Sequence, residues 1–146
     1  MRLGADACRQ RLAGSRVAHL ATADGAGVPH IVPVAFAVVP DAGAPAGAAI
    51  VTAVDHKPKT TTALKRLRNL ADNPRAAVLV DHYDEDWTAL WWVRADGTTT
   101  LEASGAGWAA ARAALVEKYP QYRRRPPEGP VVHLRVARWT GWAASP

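Results

Sequence analysis

Apolar and polar positions alternate in short runs along most of this chain, and the period of the alternation changes at definable points. Residues 16–23 alternate weakly with a period of two and predict a strand, and Asp24, Gly25 and Gly27 mark the turn after it. Residues 30–39 form a second β-rich run, in which Pro33 demands an edge position, a bulge or a missing ladder bond. Residues 41–47 are a Gly, Pro and Ala loop. Residues 48–54 are apolar almost throughout and predict a third strand buried on both faces. Residues 76–82 predict a fourth. Residues 87–95 and 98–103 predict a fifth and a sixth, with Asp96-Gly97 as a tight hairpin turn between them. Residues 131–142 predict a last, long strand. Helical spacing appears three times. Residues 4–13 place Ala5, Cys8 and Leu12 on one face, with Gly14 as the stop. After a polar loop at 55–62, Leu64, Leu67, Leu70 and Ala71 share a stripe that Asn73-Pro74 ends. Residues 105–118 form the third helix, stopped before Pro120. Strands dominate and short turns join them, so the pattern predicts a mainly β fold: an antiparallel barrel with flanking helices.

The length of 146 residues suits one domain over 1–146, and 49% hydrophobic with 21% charged residues argues against disorder. No run of 18 apolar residues occurs and the N-terminus has no apolar h-region, so neither a membrane span nor a secretory signal is expected. A single cysteine, Cys8, excludes an intramolecular disulfide and any cysteine-clustered metal site, and a cytoplasmic protein is the simplest expectation. The net charge of +5 invites a polyanion partner, but its distribution changes that picture. Lys57, Lys59, Lys65, Arg66 and Arg68 fall within residues 56–70, which hold no acid, and these five equal the whole excess. Such a cluster is either a solvated helix face or a socket for one particular anion. A second run, Arg123 to Arg125 beside Pro126 and Pro127, reads as an exposed connection. Nucleic acid is not the expected partner, because no aromatic residue is interleaved with the 56–70 cluster.

Several chemistries are missing. There is no G-x-S-x-G elbow, no P-loop and no G-x-G-x-x-G, and the only serines are Ser15, Ser104 and Ser145. The five histidines show no H-x-x-x-H spacing, and no metal site is expected; His82 among Asp81, Asp84, Glu85 and Asp86 reads as a solvated acidic loop. What remains is a strand, a basic hydroxyl-rich loop and a helix over residues 50–70. Three threonines precede the helix, whose first-turn N–H groups and dipole favour an oxyanion, and Lys57 and Lys59 add full charges. That composition suits the phosphate of a cofactor, with ordinary threonine capping beside a wet basic loop as the alternative. The segment Trp87 to Val93 is a second feature. In a strand, Trp87 and Trp91 face one way and Trp92 the other, to pack a core or an interface, or to wall a planar ring.

The order of these motifs resembles the pyridoxamine-phosphate-oxidase-like split-barrel family of flavin and deazaflavin proteins. The likeness is carried by R-V-A-H-L-A-T-A-D-G-A-G-V-P-H-I-V-P-V-A-F at 16–36, L-K-R-L-R-N-L-A-D-N-P-R-A-A-V-L-V at 64–80 and W-T-A-L-W-W-V-R-A-D-G at 87–97. With Arg138-Trp139-Thr140-Gly141-Trp142 it runs over nearly the whole chain. The loop His56-Lys57-Pro58-Lys59-Thr60 is similar to that of the branch using the deazaflavin coenzyme F-420. The resemblance implies a six-stranded, FMN-binding-protein-like antiparallel split barrel, a homodimer, and cofactor sites at the subunit interface. It implies that His56, Lys57, Lys59 and Thr60, with Arg66, hold the cofactor phosphate. It implies further that the backbone of Val51 and Thr52 lies along the ring, and that Trp87 and Trp91 come from the other subunit. The implied activity is hydride transfer from C5 of reduced coenzyme F-420 to a small electron-poor acceptor such as an enone, a quinone or a biliverdin-like tetrapyrrole. Solvent, His82 or Tyr83 would supply a proton. FMN is the alternative cofactor, and a non-enzymatic cofactor or heme carrier the alternative role. The oxidase's own substrate-binding Arg/His pattern is absent from residues 135–142, so oxidation of pyridoxamine phosphate is not expected.

Overall fold

A computed structural model of the chain describes residues 1–54 and 61–146, the first four of the second stretch as backbone only. Seven antiparallel strands form one sheet: β1 (Ala18–Ala23), β2 (Pro29–Val34), β3 (Ala37–Pro40), β4 (Ala48–Ala53), β5 (Arg75–His82), β6 (Trp91–Glu102) and β7 (Val131–Ala143), in the order β2-β1-β5-β6-β7-β4-β3. Its two edge strands, β2 and β3, are joined by only Ala35 and Phe36. Edges two residues apart cannot lie at opposite sides of a flat sheet, so the sheet curls round until they meet, and a barrel results. The helices are α1 (Ala5–Ala13), α2 (Thr61–Asp72), α3 (Gly105–Lys118) and α4 (Pro120–Arg124). The fold is therefore the expected split barrel with flanking helices, with seven strands where six were expected.

Three expectations need correction. The run at 30–39 divides at Ala35–Phe36, which puts Pro33 on an edge strand, where a proline leaves no interior ladder bond unmade. Asp96-Gly97 is not a hairpin turn, and the strands predicted at 87–95 and 98–103 are one, β6. It is flanked by β5 and β7 over most of its length, and that pairing outweighs the local turn signal. The register shifts at Asp96/Gly97, a bulge, and a Cβ on Gly97 would overlap the main-chain carbonyl of Arg135. Trp87 is not in a strand at all. It opens a single 3₁₀ turn, Trp87–Ala89, held by Asp86, whose carboxylate accepts from Thr88 N at 3.0 Å and Thr88 Oγ1 at 2.7 Å.

Side chains alternate across the curled sheet and separate two cores. Inside the barrel lie Leu20, Val34, Phe36, Ile50, Val78, Val80, Val93, Leu134 and Val136, joined by Cys8 and Leu12 of α1. Outside, α3 covers Ala37, Val51, Ala53 and Val131 with Ala111 and Leu115. All six residues of β4 are buried, as a continuous apolar run predicts. The outer face of β1, β5 and the first half of β6 belongs to neither core: Ala21, Ala77, Leu79 and Trp92 are only partly covered, and Ile31 on neighbouring β2 is 63% exposed. Among the described residues no helix is long and apolar enough to cross a membrane.

Candidate functional site

Two of the protomer's concavities lie along β5. A groove of about 630 Å³ lies over Ala21, Ala77 and Gly97, with Asn73, Arg75 and Asp96 among its polar walls. Farther along the same strand, a concavity of about 440 Å³ is lined by Leu79, Asp81, His82, Tyr83, Trp91 and Arg94, among others. Both volumes fall in the range of small-molecule sites, roughly 300–1,000 Å³. The floor of the first is alanine and glycine, so backbone comes close to whatever covers it. The second is aromatic. His82 stacks on Trp91 with ring centroids 6.2 Å apart and planes 19° from parallel, and the Arg11 guanidinium lies 5.2 Å from the centre of the Trp91 ring. Arg94 is held by Asp96 at 3.0 Å, which fixes its guanidinium along the strand.

The expected site residues divide into two groups. His82, Tyr83 and Trp91 come together around the second concavity. Tyr83 is 64% and Trp87 68% exposed, which is unusual for large aromatic side chains. Val51, Thr52 and Arg66 lie elsewhere. The Val51 side chain is enclosed beneath α3, and Thr52 Oγ1 donates to Ala35 O at 2.7 Å, so neither side chain faces a groove. Arg66 is buried on α2, whereas Lys65 and Arg68 of the same helix face solvent. His56, Lys57, Lys59 and Thr60 lie outside the described residues. Among the described residues no group of three or more His, Cys, Asp or Glu could hold a metal ion.

The structure adds a cluster that the sequence did not suggest. The hydroxyl of Tyr119, at the end of α3, accepts from Phe36 N at 3.0 Å and lies within donor range of Arg16 O and Phe36 O. Thr52 grips the same two-residue link from the other side, so one tyrosine and one threonine fasten the place where the sheet closes. Lys118 Nζ sits 3.7 Å from the centre of the Phe36 ring with no hydrogen-bond partner among the described residues; burial, and then Arg16, push the amine down to about 8. Burial also raises the Tyr119 phenol. The only sequence hint was Lys118-Tyr119-Pro120, a helix stop. Beyond it, Asp41 accepts from His133 Nε2 at 3.1 Å and Arg135 Nε at 3.2 Å, and the His133 bond is the main cause holding its carboxyl below the usual range.

A family model described as pyridoxamine 5'-phosphate oxidase matches residues 5–143. A comparison with curated proteins finds no match. Among solved structures, an FAD-binding protein from Mesorhizobium loti is 22% identical with a TM-score of 0.70, over 97% of this chain and 93% of that one. An FAD-binding protein from Mycobacterium smegmatis is 17% identical with a TM-score of 0.63, over 97% of each chain. The heme storage protein HutZ from Vibrio cholerae is 15% identical with a TM-score of 0.63, over 94% of this chain and 90% of that one. At these identities the likeness is one of fold.

Proposed function

The chain belongs to the pyridoxamine 5'-phosphate oxidase family, and from that premise we propose that it is a homodimeric oxidoreductase that binds coenzyme F-420. One observation carries the reading. The fully buried strand β4 leads through residues 55–60 to α2, whose twelve residues begin at Thr61. The cations of His56-Lys57-Pro58-Lys59 therefore directly precede the first turn of a helix, where free N–H groups and the dipole favour a phosphate.

The described residues fit such a group. The alanine and glycine floor of the first concavity and the aromatic walls of the second suit a planar molecule, Arg75 and Asp96 lining the one and Arg94 and Asp81 the other, and both are large enough for one. In this reading His56, Lys57, Lys59, Thr60 and Arg66 hold the phosphate and the main chain of Val51 and Thr52 on β4 supports the ring, so the β5 concavity facing it is a second protomer's, because β6 and β7 lie between β4 and β5 within one chain. Trp87 and Trp91 of a second protomer close it off from water. When bound, the reduced deazaflavin supplies a hydride from C5, and the acceptor is a small electron-poor organic molecule. The chain's own work is to position, to exclude water and to deliver a proton from His82 or Tyr83, which line the aromatic concavity. No protein nucleophile is needed.

A second reading, FMN or FAD in the same place, is favoured by the two FAD-binding proteins that share the fold, and a heme carrier by the heme storage protein. Titrating the apoprotein with coenzyme F-420, FMN, FAD and hemin at two salt concentrations separates them. Coenzyme F-420 has an acidic tail in addition to its phosphate, so its affinity should fall most with salt. Lys57→Ala with Lys59→Ala should weaken binding of the phosphorylated cofactor by about tenfold or more. Unchanged affinity would show that the phosphate is held elsewhere.

A further inference from the structure

Trp92, Arg94 and Asp96 alternate onto one face of β6, and Leu79 of β5 lies directly opposite Arg94. Arg94 lines the aromatic concavity and Asp96 the alanine-floored groove, so their ion pair stands on the ridge between the two. The pair is made through one edge of the guanidinium: Arg94 Nε donates to Asp96 Oδ2 at 3.0 Å. A guanidinium carries five N–H groups in a planar fork, and this bond uses one of them. The other four, on Nη1 and Nη2, make no hydrogen bond among the described residues. A half-exposed pair of this kind adds little to the fold, and what it does is aim the fork. Among the described residues Arg94 is the one permanent cation on the aromatic concavity. Asp81 lines the same concavity opposite Trp92, diagonal to Arg94, and the two form no ion pair. The concavity thus has one positive and one negative end. It accepts one anionic group and opposes a second.

We propose that this concavity binds a flat, conjugated monocarboxylate, whose carboxylate takes the two terminal nitrogens of Arg94 and whose conjugated system lies against Trp91 and Trp92. This rests on the proposed function, which puts the acceptor beside His82 and Tyr83, and it narrows that acceptor to a class. A carboxylate matches the guanidinium fork with two parallel N–H···O bonds, which fix direction as well as position. Flat rings supply a wall that a conjugated molecule covers with little loss of conformational freedom. The volume of about 440 Å³ limits the occupant to a small molecule. The His82 ring is stacked on Trp91, and Tyr83 stands at the same concavity. A carboxylate anchored on Arg94 therefore sets the orientation of the conjugated system toward both proton donors. Asp81 disfavours a molecule with a carboxylate at each end, because the second would meet a like charge.

The test is isothermal titration calorimetry of the full-length protein with cinnamate, its neutral isostere cinnamamide, and para-carboxycinnamate. The unaltered chain should bind cinnamate about tenfold more tightly than the amide, and more tightly than the dicarboxylate. Arg94→Gln should weaken cinnamate by about tenfold and leave the amide within about twofold. Arg94→Lys keeps the charge without the fork and should restore part of the preference. Asp81→Asn should strengthen the dicarboxylate by about threefold and leave the amide unchanged. Failure to bind cinnamate, equal binding of cinnamate and cinnamamide by the unaltered chain, or an Arg94→Gln variant that keeps or loses both in parallel would overturn the proposal. So would displacement of cinnamate by coenzyme F-420, which would give Arg94 to the cofactor's acidic tail. The two readings fail separately. An Arg94-dependent preference in a chain that binds no coenzyme F-420 would leave this site standing and remove the proposed cofactor, and a chain that binds the cofactor without that preference would do the reverse.

Discussion

Replacing Lys118 with methionine should stabilise the protein at neutral pH, by an amount that vanishes in alkali. The ammonium lies against the Phe36 ring without a hydrogen-bond partner among the described residues, and its pKa is pushed down to about 8 from an ordinary 10.5. Between those values the unfolded chain binds more protons than the folded one, so stability rises with pH across the window and is lowest below about pH 8. The full gap corresponds to roughly 3 kcal/mol. Lys118 is only half-buried, and solvent screening cuts that figure to about 1–2 kcal/mol. The ring face attracts the ammonium and works against the penalty, which leaves about 1 kcal/mol. Methionine keeps the length and the packing of the alkyl stem. Urea unfolding of the apoprotein, followed by tryptophan fluorescence at fixed protein concentration, should show the variant ahead by about 1 kcal/mol at neutral pH, or about 3–4 °C in Tm. That lead should shrink as pH rises from about 8 to 10.5. The Tyr119 phenol, raised by burial, titrates near the top of this range in both proteins, so the difference between them is the quantity to read. A lead that is constant or grows with pH would refute the account, because it would mean that the amine is not desolvated.

Three further outcomes follow from the same geometry. Gly97→Ala should cost about 2–3 kcal/mol, since the new methyl group meets the main-chain carbonyl of Arg135 rather than a side chain that can move; a neutral effect in urea would contradict the bulge. Tyr119→Phe leaves Phe36 N without its acceptor and should cost about 1–3 kcal/mol in the same assay. Asp41→Asn tests a sign: the carboxyl is held low chiefly by His133, so its contribution is present above the ordinary carboxylate range and lost as pH falls through the folded value. Wild type and variant should therefore converge in acid unfolding.

The parts of the fold that were legible in the sequence are those set by local pattern. β4 was readable because six consecutive buried positions leave an unbroken apolar run, and α3 because its boundaries, 105 and 118, are written in glycine and proline. Asp96-Gly97 misled because the same dipeptide serves a hairpin turn and a bulge, and only the strands on either side decide between them. Trp87 misled because a tryptophan-rich run has the composition of a strand, while its neighbours Asp86 and Thr88 impose a turn. Charge alone singled out residues 56–68 as the proposed anion site, whereas the contacts that close the barrel left no local signal. Tyr119 reaches Phe36 across 83 positions, and no spacing rule connects them.

The structure also alters what the basic composition means. Arg16 Nη1 donates to Lys118 O at 2.9 Å and Arg123 to Glu117 O, so these two cations cap the end of α3, where carbonyls lack partners and the dipole is negative. Arg112 donates to Pro127 O at 2.7 Å, and Arg135 is paired with Asp41. These arginines, all away from residues 56–68, are consumed in holding helices and loops to the barrel. Lys65 and Arg68 stand exposed on α2 without an ion pair among the described residues, as do Arg2, Arg75, Arg124 and Arg138 elsewhere. Exposed cations on a helix cost little in water, so their lack of a partner proves nothing alone. Under the proposed function the cations that would meet a phosphate are therefore singled out by sequence position, Lys57 and Lys59 directly before the first turn of α2, and not by a lack of partners, which exposed arginines elsewhere share.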